Sequence, residues 1–543
     1  MKKTITLIGF FILFFQFQNS YCQDYLETAT ALGSGTTIDN SNLWTDVSTV
    51  TIDVTNISNV LLSASINMRA DGANTGEREG NYNIYRSDLI TDNSGVIKRQ
   101  ILKNTDGTGV ESWGIGTLVH IFDTSALSGN ITYVLEHSNQ GSTKTGRNIY
   151  SSSRLTAVAL TTEISGNELS NDIKRLDIEE TSASATYEGV AGLTSNLVTL
   201  PVTGVIGDIY VAASINSRAN GGGAVAEYKL EYSTDEGSNW FDLGKPVKRS
   251  MLNNFDNGII SLVGLLPNQG VSPNYLFRVA HRRVSGTTTI YTNNANLVVV
   301  ALTHSNGFFT TFYTEIASPG VDITGVSTPS ALVTSSGFTT AADIGGVGPD
   351  LYVHTQYLVS ATNLNESAPQ RMRGRNQLFL DDGTTLQAAD AYFRYISDNS
   401  SFGSGAFIGL AEDLDSEITY IVSMHHDIAD ISDPDVTEDE VLTTSEVILT
   451  GFQTYDSSLV LAIDDIKNKQ EVKIFGALGK IEIRSNEPID AEIKVYNILG
   501  KVISESRVNN QNETSIDLGN FKGIAIVSII SEEGKVITKK VII

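Results

Sequence analysis

The chain has 543 residues and one cysteine, Cys22. That excludes an internal disulfide framework and a cysteine-built zinc site. Each domain must therefore be held by burial alone, which favours domains of about 100 residues or more. Positive charge is also scarce: 37 Lys and Arg stand against 62 Asp and Glu, for a net charge of −25. Such a chain lacks the basic face that nucleic acid or an anionic lipid surface requires. The longest strongly apolar run, residues 5–15, is shorter than the roughly 20 residues a membrane helix needs. No Gly-x-Ser-x-Gly elbow, His-Glu-x-x-His pair or phosphate-binding glycine loop occurs. Helical periodicity is nearly absent, and its best candidate is NELSNDIKRLDIEE at 167–180.

What is present begins with Lys2 and Lys3, the apolar run and a polar stretch ending at Cys22, the pattern of a cleaved signal peptide over 1–22. Cys22 then leaves with it. Asn19-Ser20-Tyr21 does not suit lipidation of that cysteine.

Beyond residue 22 the chain repeats itself. ASINMRA at 64–70 returns as ASINSRA at 213–219, IKRQILKN at 97–104 as VKRSMLNN at 247–254, and RLTAVALT at 154–161 as NLVVVALT at 296–303. A third, more diverged copy carries ITYIVSMHH at 418–426, matching ITYVLEH at 131–137, and SEVILTGF at 445–452 as its last strand. Matches in one order at near-constant spacing mean tandem duplication. The signature Tyr85-Arg-Ser-Asp88, Tyr232-Ser-Thr-Asp235 and Tyr395-Ile-Ser-Asp398 is read as one further common feature.

Apolar residues alternate along each copy, and Gly, Asn, Asp and Pro clusters interrupt the runs every 8–12 residues or so. The expected fold is all-β: a tandem array of three β-sandwich modules, jelly-roll rather than immunoglobulin in topology, at 23–165, 166–306 and 307–453. A linker follows at 454–469. The last stretch, 470–543, reads as a small immunoglobulin-like sandwich of about seven short strands, with turns at Leu478-Gly479, Asn486-Glu-Pro488, Leu499-Gly500 and Glu533-Gly534.

This tail resembles the C-terminal sorting domain of type IX secretion cargo. The likeness lies in Val472-Lys-Ile-Phe475, the segment 493–502 with Gly500 and Lys501, the Ile516-Asp-Leu-Gly strand, the run 522–527 with Gly523, and the ending Lys539-Lys540-Val-Ile-Ile. Gly476-Ala477 stands where that family often has Asn-Pro, and Ala525 where it often has Tyr. The resemblance implies export through the periplasm to the outer cell surface or beyond. It names the type IX translocon as a partner, with anchoring on lipopolysaccharide or release to follow.

Chemistry-bearing residues are few. Ser233-Thr-Asp235-Glu-Gly237-Ser-Asn-Trp240 fits an Asp-box, a hairpin turn in which the aromatic packs beneath the loop. His137, His281 and His425 end corresponding strands; half-exposed strand positions are the expectation, with a metal site as the alternative. The acidic run at 425–441 offers Asp430, Asp433, Asp435 and Glu438 as oxygen ligands for Ca²⁺, the one cofactor the sequence admits; a solvated loop is the plainer reading. The recurrent Arg69/Arg218, Lys98/Lys248 and Arg99/Arg249 and the cluster Arg371, Arg373 and Arg375 read first as cross-strand charge partners; the alternative, for which the cluster is the candidate, is holding an acidic sugar through forked guanidinium groups. Trp44, Trp113, Trp240 and Tyr291 are either sugar-stacking rings or core residues, two readings the sequence weighs equally. Altogether the sequence reads as a non-enzymatic adhesin, envelope or glycan-binding protein. The alternative is a secreted hydrolase of polysaccharide or protein with one sandwich catalytic.

Overall fold

The computed structural model describes residues 26–542 apart from connecting segments, those of five residues or more being 30–35, 104–112, 141–147, 199–205, 252–257, 305–310, 325–329, 341–348, 363–371, 397–401, 429–440 and 457–471. The signal peptide lies outside the described residues. Every described regular element is a strand, so the all-β reading holds. No described helix is long and apolar enough to cross a membrane. Contacts divide the chain into two compact units, 1–457 and 458–543.

The first unit holds three lobes, each of two packed sheets. In lobe two the inner sheet runs Asn171–Leu176, Ile290–His304, Ile206–Ala219, Gly258–Gln269, and the outer sheet Glu188–Thr194, Leu276–Gly286, Ala224–Ser233, Phe241–Met251. Counted along the chain, with Glu180–Ser182 as the second half of the first strand, these are orders 1-8-3-6 and 2-7-4-5. That is the jelly-roll arrangement. The helical candidate at 167–180 is therefore a strand segment: Asn171–Leu176 pairs antiparallel with 295–300 and buries Leu176. A charged sequence forms a strand here because the neighbouring closing strand supplies the backbone partners.

Lobes one and three repeat the pattern. Their closing strands are Asn148–Leu160 and Val441–Asp456, their middle strands Asn59–Asp71 and Asp350–Thr362, their edge strands Trp113–Asp123 and Phe402–Ala411. The repeated ASIN heptads thus lie on corresponding middle strands. Each lobe has its own core, centred on Tyr82 and Leu118, on Tyr228 and Leu297, and on Leu378 and Leu449. The third closing strand runs to Asp456, three residues past the expected boundary.

The lobes do not string out along a stalk. They close on one another. A fourth core joins Leu61 and Val119 of lobe one, Tyr210 and Val263 of lobe two, and Tyr352 and Ile408 of lobe three, all at most 1% exposed. An exposed sheet edge leaves backbone groups without partners, a liability when it is buried. Here each edge strand is satisfied by a side chain at the same position of the next lobe's middle strand. Ser214 Oγ accepts from Val119 N (3.0 Å) and donates to Thr117 O (2.8 Å). Gln356 Oε1 accepts from Val263 N (2.8 Å). Ser65 Oγ accepts from Ile408 N (2.5 Å). Each edge strand also plugs a neighbouring core: Ile115 enters lobe three's, Ile259 lobe one's, and Phe402 packs against lobe two's. The N-terminal strand Leu26–Ala29 completes the ring, antiparallel to Asn148–Leu160 and parallel to the end of Val441–Asp456.

The second unit has five described strands rather than about seven: Val472–Ala477, Lys480–Asn497, Val502–Asp517, Ile524–Ser531 and Val536–Ile542. Lys480–Asn497 is central, pairing with Val502–Asp517 along one side and with Val472–Ala477 and then Ile524–Ser531 along the other. The expected turn at 486–488 is instead a register irregularity within this strand. Ile481, Ile493, Val495, Val527 and Ile529 form the core.

Candidate ligand-binding face

The solvent side of lobe two's outer sheet carries a dense array of charge. Strand alternation places Glu227, Lys229 and Glu231 on one face of Ala224–Ser233, while Tyr228 and Leu230 point into the core. Across the ladder Glu227 stands opposite Arg282 and Lys248, and Glu231 opposite Arg278 and Asp242. Arg282 donates its Nε to Glu227 (2.5 Å) and pairs through Nη2 as well; Tyr187 Oη donates to the same carboxylate (2.6 Å), and Lys248 lies 3.5 Å away. Arg278 donates its Nε to Glu231 (2.7 Å), and Lys229 bridges Glu231 and Asp242 at 2.7 and 2.5 Å.

Two aromatic rings complete the face. Arg278 stacks on Trp240 at 4.0 Å, and Tyr187 is flanked by Lys229 at 4.1 Å and Arg282 at 4.5 Å. Burial and the hydrogen bond to Glu227 hold the Tyr187 phenol well above its ordinary pKa. Burial pulls Lys229 down, but Asp242 and Glu231 outweigh it and the ammonium ends above its usual range. Glu227 and Glu231 are only 3% and 5% exposed, so the cations cover the carboxylates. In lobe one the matching positions are Asn81, Asn83 and Tyr85, with Asn83 bonded to Glu136. The array is not common to the two lobes.

The Asp-box segment is the hairpin at the end of this sheet. Ser233 Oγ accepts from Gly237 N (2.8 Å), Asp235 accepts from Asn239 N (2.8 Å), and Glu236 and Gly237 have φ of 58° and 88°. Glycine relieves the left-handed turn, and the Trp240 ring lies beside it. The signature is a match of letters only: Tyr85 stands at the position of Glu231, so Tyr232 is one residue out of step with it. Tyr395 lies at the end of Leu386–Ile396, one strand later than Tyr85 and Tyr232, and the corresponding turn is Asp381-Asp382-Gly383, where Gly383 N donates to Asp381 (2.7 Å).

His137 and His281 are buried rather than half-exposed, whereas His425 is half-buried as expected. His137 and His281 stand opposite the core tyrosines Tyr82 and Tyr228. His281 Nδ1 meets Thr292 Oγ1 across the sandwich at 2.9 Å, and His426, not His425, repeats this with Thr444 at 3.0 Å. His425 projects from the opposite face, its Nε2 3.0 Å from Ser423 Oγ. Burial lowers His137 to about 3 and His281 and His426 to about 4. His281 and His426 thus pin the two sheets together as neutral rings. Among the described residues no group of three His, Cys, Asp or Glu could hold a metal.

Asp430, Asp433, Asp435, Glu438 and Arg371 lie outside the described residues. Arg373 and Arg375 lie two apart on Met372–Asp381, in register with Tyr395 and Phe393. Arg218 is paired with Glu179 and stacked on Tyr291 at 4.3 Å, Lys98 is paired with Glu79 at 3.1 Å, and Arg249 is buried. Trp44 is 42% exposed. In the tail Lys501 is exposed and closes a turn by donating its N–H to Asn497 Oδ1 (3.0 Å), Lys539 and Lys540 pair with Val527 and Ile526, and Gly500 and Gly523 lie outside the described residues. The sequence reading passed over Tyr187, Glu227, Arg278 and Arg282. Their only signal was outward-facing charge at i, i+2 and i+4, which needed the strand pairing to align it.

Compared with known proteins, the chain is similar in structure to PNGF-II (8% identity, 72% of this chain and 99% of that chain covered, TM-score 0.25). It is also similar to the CBM22 tandem domain of Paenibacillus barcinonensis Xyn10C (8% identity, 51% and 97% covered, TM-score 0.16). Likenesses this loose carry nothing from those proteins to this one. No curated protein matches the sequence. Residues 461–543, the greater part of the second unit, match a family described as Domain of unknown function (DUF8694).

Proposed function

We propose that this chain is an exported, non-enzymatic glycan-binding protein displayed at the outer cell surface, with lobe two's outer face as its binding surface and the tail as its export signal. The observation that carries the binding reading is the pairing of two accessible rings, Tyr187 and Trp240, with guanidinium groups on one solvent-facing sheet. Flat apolar rings with forked donors beside them suit sugar faces and their oxygens. A further support is divergence: the lobes keep corresponding strands and edge-capping positions while this face differs from its counterpart in lobe one. The export reading rests on the resemblance of the tail to type IX sorting domains, and a self-contained second unit suits a signal recognised after folding.

The test is a glycan array probed with the mature full-length chain, with and without Ca²⁺. Binding that is lost in the Tyr187→Ala/Trp240→Ala variant supports the reading. Absence of binding, together with release of reducing sugar from a polysaccharide panel, replaces it with the hydrolase.

A further inference from the structure

Arg278 and Arg282 belong to two similar units on one sheet. Each unit is an aromatic ring, an arginine against it and a nearly buried glutamate beneath: Trp240–Arg278–Glu231 and Tyr187–Arg282–Glu227. The glutamates fix the arginines through Nε. Among the described residues no acceptor meets Nη1 or Nη2 of Arg278, and Arg282 is engaged by Glu227 at Nε and Nη2 and by Tyr187, so each guanidinium, with five N–H donors, keeps donors for a ligand. The arginine side chains are 22% and 35% exposed against 6% and 3% for their glutamates, so at these two points cations stand over neutralising acid, while Asp242, bound to Lys229, is an exposed carboxylate at the edge of the array. Lys248, 33% exposed beside Glu227, adds a third cation on the far side of that row.

From this geometry we infer that the face binds a polyanionic glycan, held at two points by the forks of Arg278 and Arg282. The two arginines are four residues apart on one strand, hence roughly 13 Å apart. No single sugar spans that distance, whereas a chain with recurring carboxylate or sulfate groups does. A lone exposed ion pair contributes little, so useful affinity needs both contacts together. This inference rests on the glycan-binding reading and narrows it to one ligand class and one site per chain, since the arginine positions hold Val134 and Ser138 in lobe one and Ser423 and Asp427 in lobe three.

Isothermal titration of the mature full-length chain tests it against galacturonic acid, hexagalacturonate, dextran sulfate, uncharged dextran and polyglutamate. The expected result is binding of hexagalacturonate or dextran sulfate at least tenfold tighter than the monomer, at one site, weakened about tenfold by Arg278→Gln. Arg278→Lys, which keeps the charge and the link to Glu231 but loses the fork, also weakens it, while Lys98→Gln on lobe one leaves it unchanged. Unchanged thermal unfolding of the lysine variant separates the site from the fold. Equal affinity for monomer and hexamer, equal affinity for polyglutamate, or full binding by Arg278→Lys overturns the inference. Preference for uncharged dextran overturns it while the glycan-binding reading stands; no binding to any glycan removes both.

Discussion

Ser65 of lobe one and Ile408 of lobe three, 343 positions apart, share two hydrogen bonds: the serine hydroxyl accepts from Ile408 N at 2.5 Å and donates to Ile408 O at 3.1 Å. One small side chain thereby satisfies both backbone groups of a buried edge residue. Ser214 does the same kind of work for lobe one's edge, and Gln356, at the matching position, serves lobe two's. Ser65→Ala orphans a buried donor and acceptor, and should cost about 1–3 kcal/mol of stability in urea unfolding. Ser65→Thr, which keeps the hydroxyl, should cost less; equal losses would remove the edge-capping role.

Gly116 and Ile259 form a tight crossing between lobes one and two: a Cβ on Gly116 would fall 2.7 Å from Ile259 Cγ2. Ile259→Ala should cost about 2–4 kcal/mol through the cavity left in lobe one's core. Gly116→Ala alone should destabilise by overpacking, about 1–3 kcal/mol. The double variant should be more stable than the sum of the two, because the alanine methyl enters the space the isoleucine vacates. Strict additivity would mean that the side chains do not meet.

Acid should weaken the first unit before its carboxylates titrate. Burial lowers His120, His137 and His354 to about 3 and His281 and His426 to about 4. These groups are neutral in the folded chain at pH 5, whereas the unfolded chain protonates them below about 6.5. Unfolding therefore takes up protons between pH 6.5 and 4, and stability falls as pH falls through that window. His281→Gln should reduce the slope of stability against pH by up to one proton near pH 5. A flat profile from pH 7 to 4.5 would contradict the burial of these rings.

Removing residues 26–29 should open the junction between lobes one and three, since among the described strands that one alone pairs with both closing strands. The loss should be about 2–4 kcal/mol, a few ladder hydrogen bonds at about 1 kcal/mol each. Amide exchange should rise at 156–158 and 455–456 while lobe two keeps its protection. Unchanged exchange there would show that the ring is closed by other contacts.

Truncation after Ser457 should leave the first unit folded, with the near-ultraviolet signature of its buried tyrosines, yet retained inside the cell envelope. Surface display of the truncated chain would end the export proposal.

Much of this architecture was written in local pattern. Alternation at period two, turn residues at short intervals and the recurrence of ASIN, KR and VALT yield strands, sandwiches and their number, because each depends on neighbours in the chain and on burial of one face. Local pattern fails where position depends on a partner strand. Residues 425 and 426 are both histidine, and only the bond to Thr444 decides which one enters the core. Tyr395 matched Tyr85 and Tyr232 by letters but lies one strand later. NDIKRL looked helical because its charges carry no strand signal, and it is a strand because Ala295–Val300 offers it a ladder.

By itself, the sequence determined that this is a triplicated, disulfide-free β protein with a separate tail. Only the tertiary structure decided that the copies close into a ring and that one lobe's outer sheet gathers Tyr187, Trp240, Arg278 and Arg282. The reason is physical: strand formation is a matter of near neighbours, whereas capping an edge or stacking a guanidinium requires atoms that tens or hundreds of residues of chain bring together.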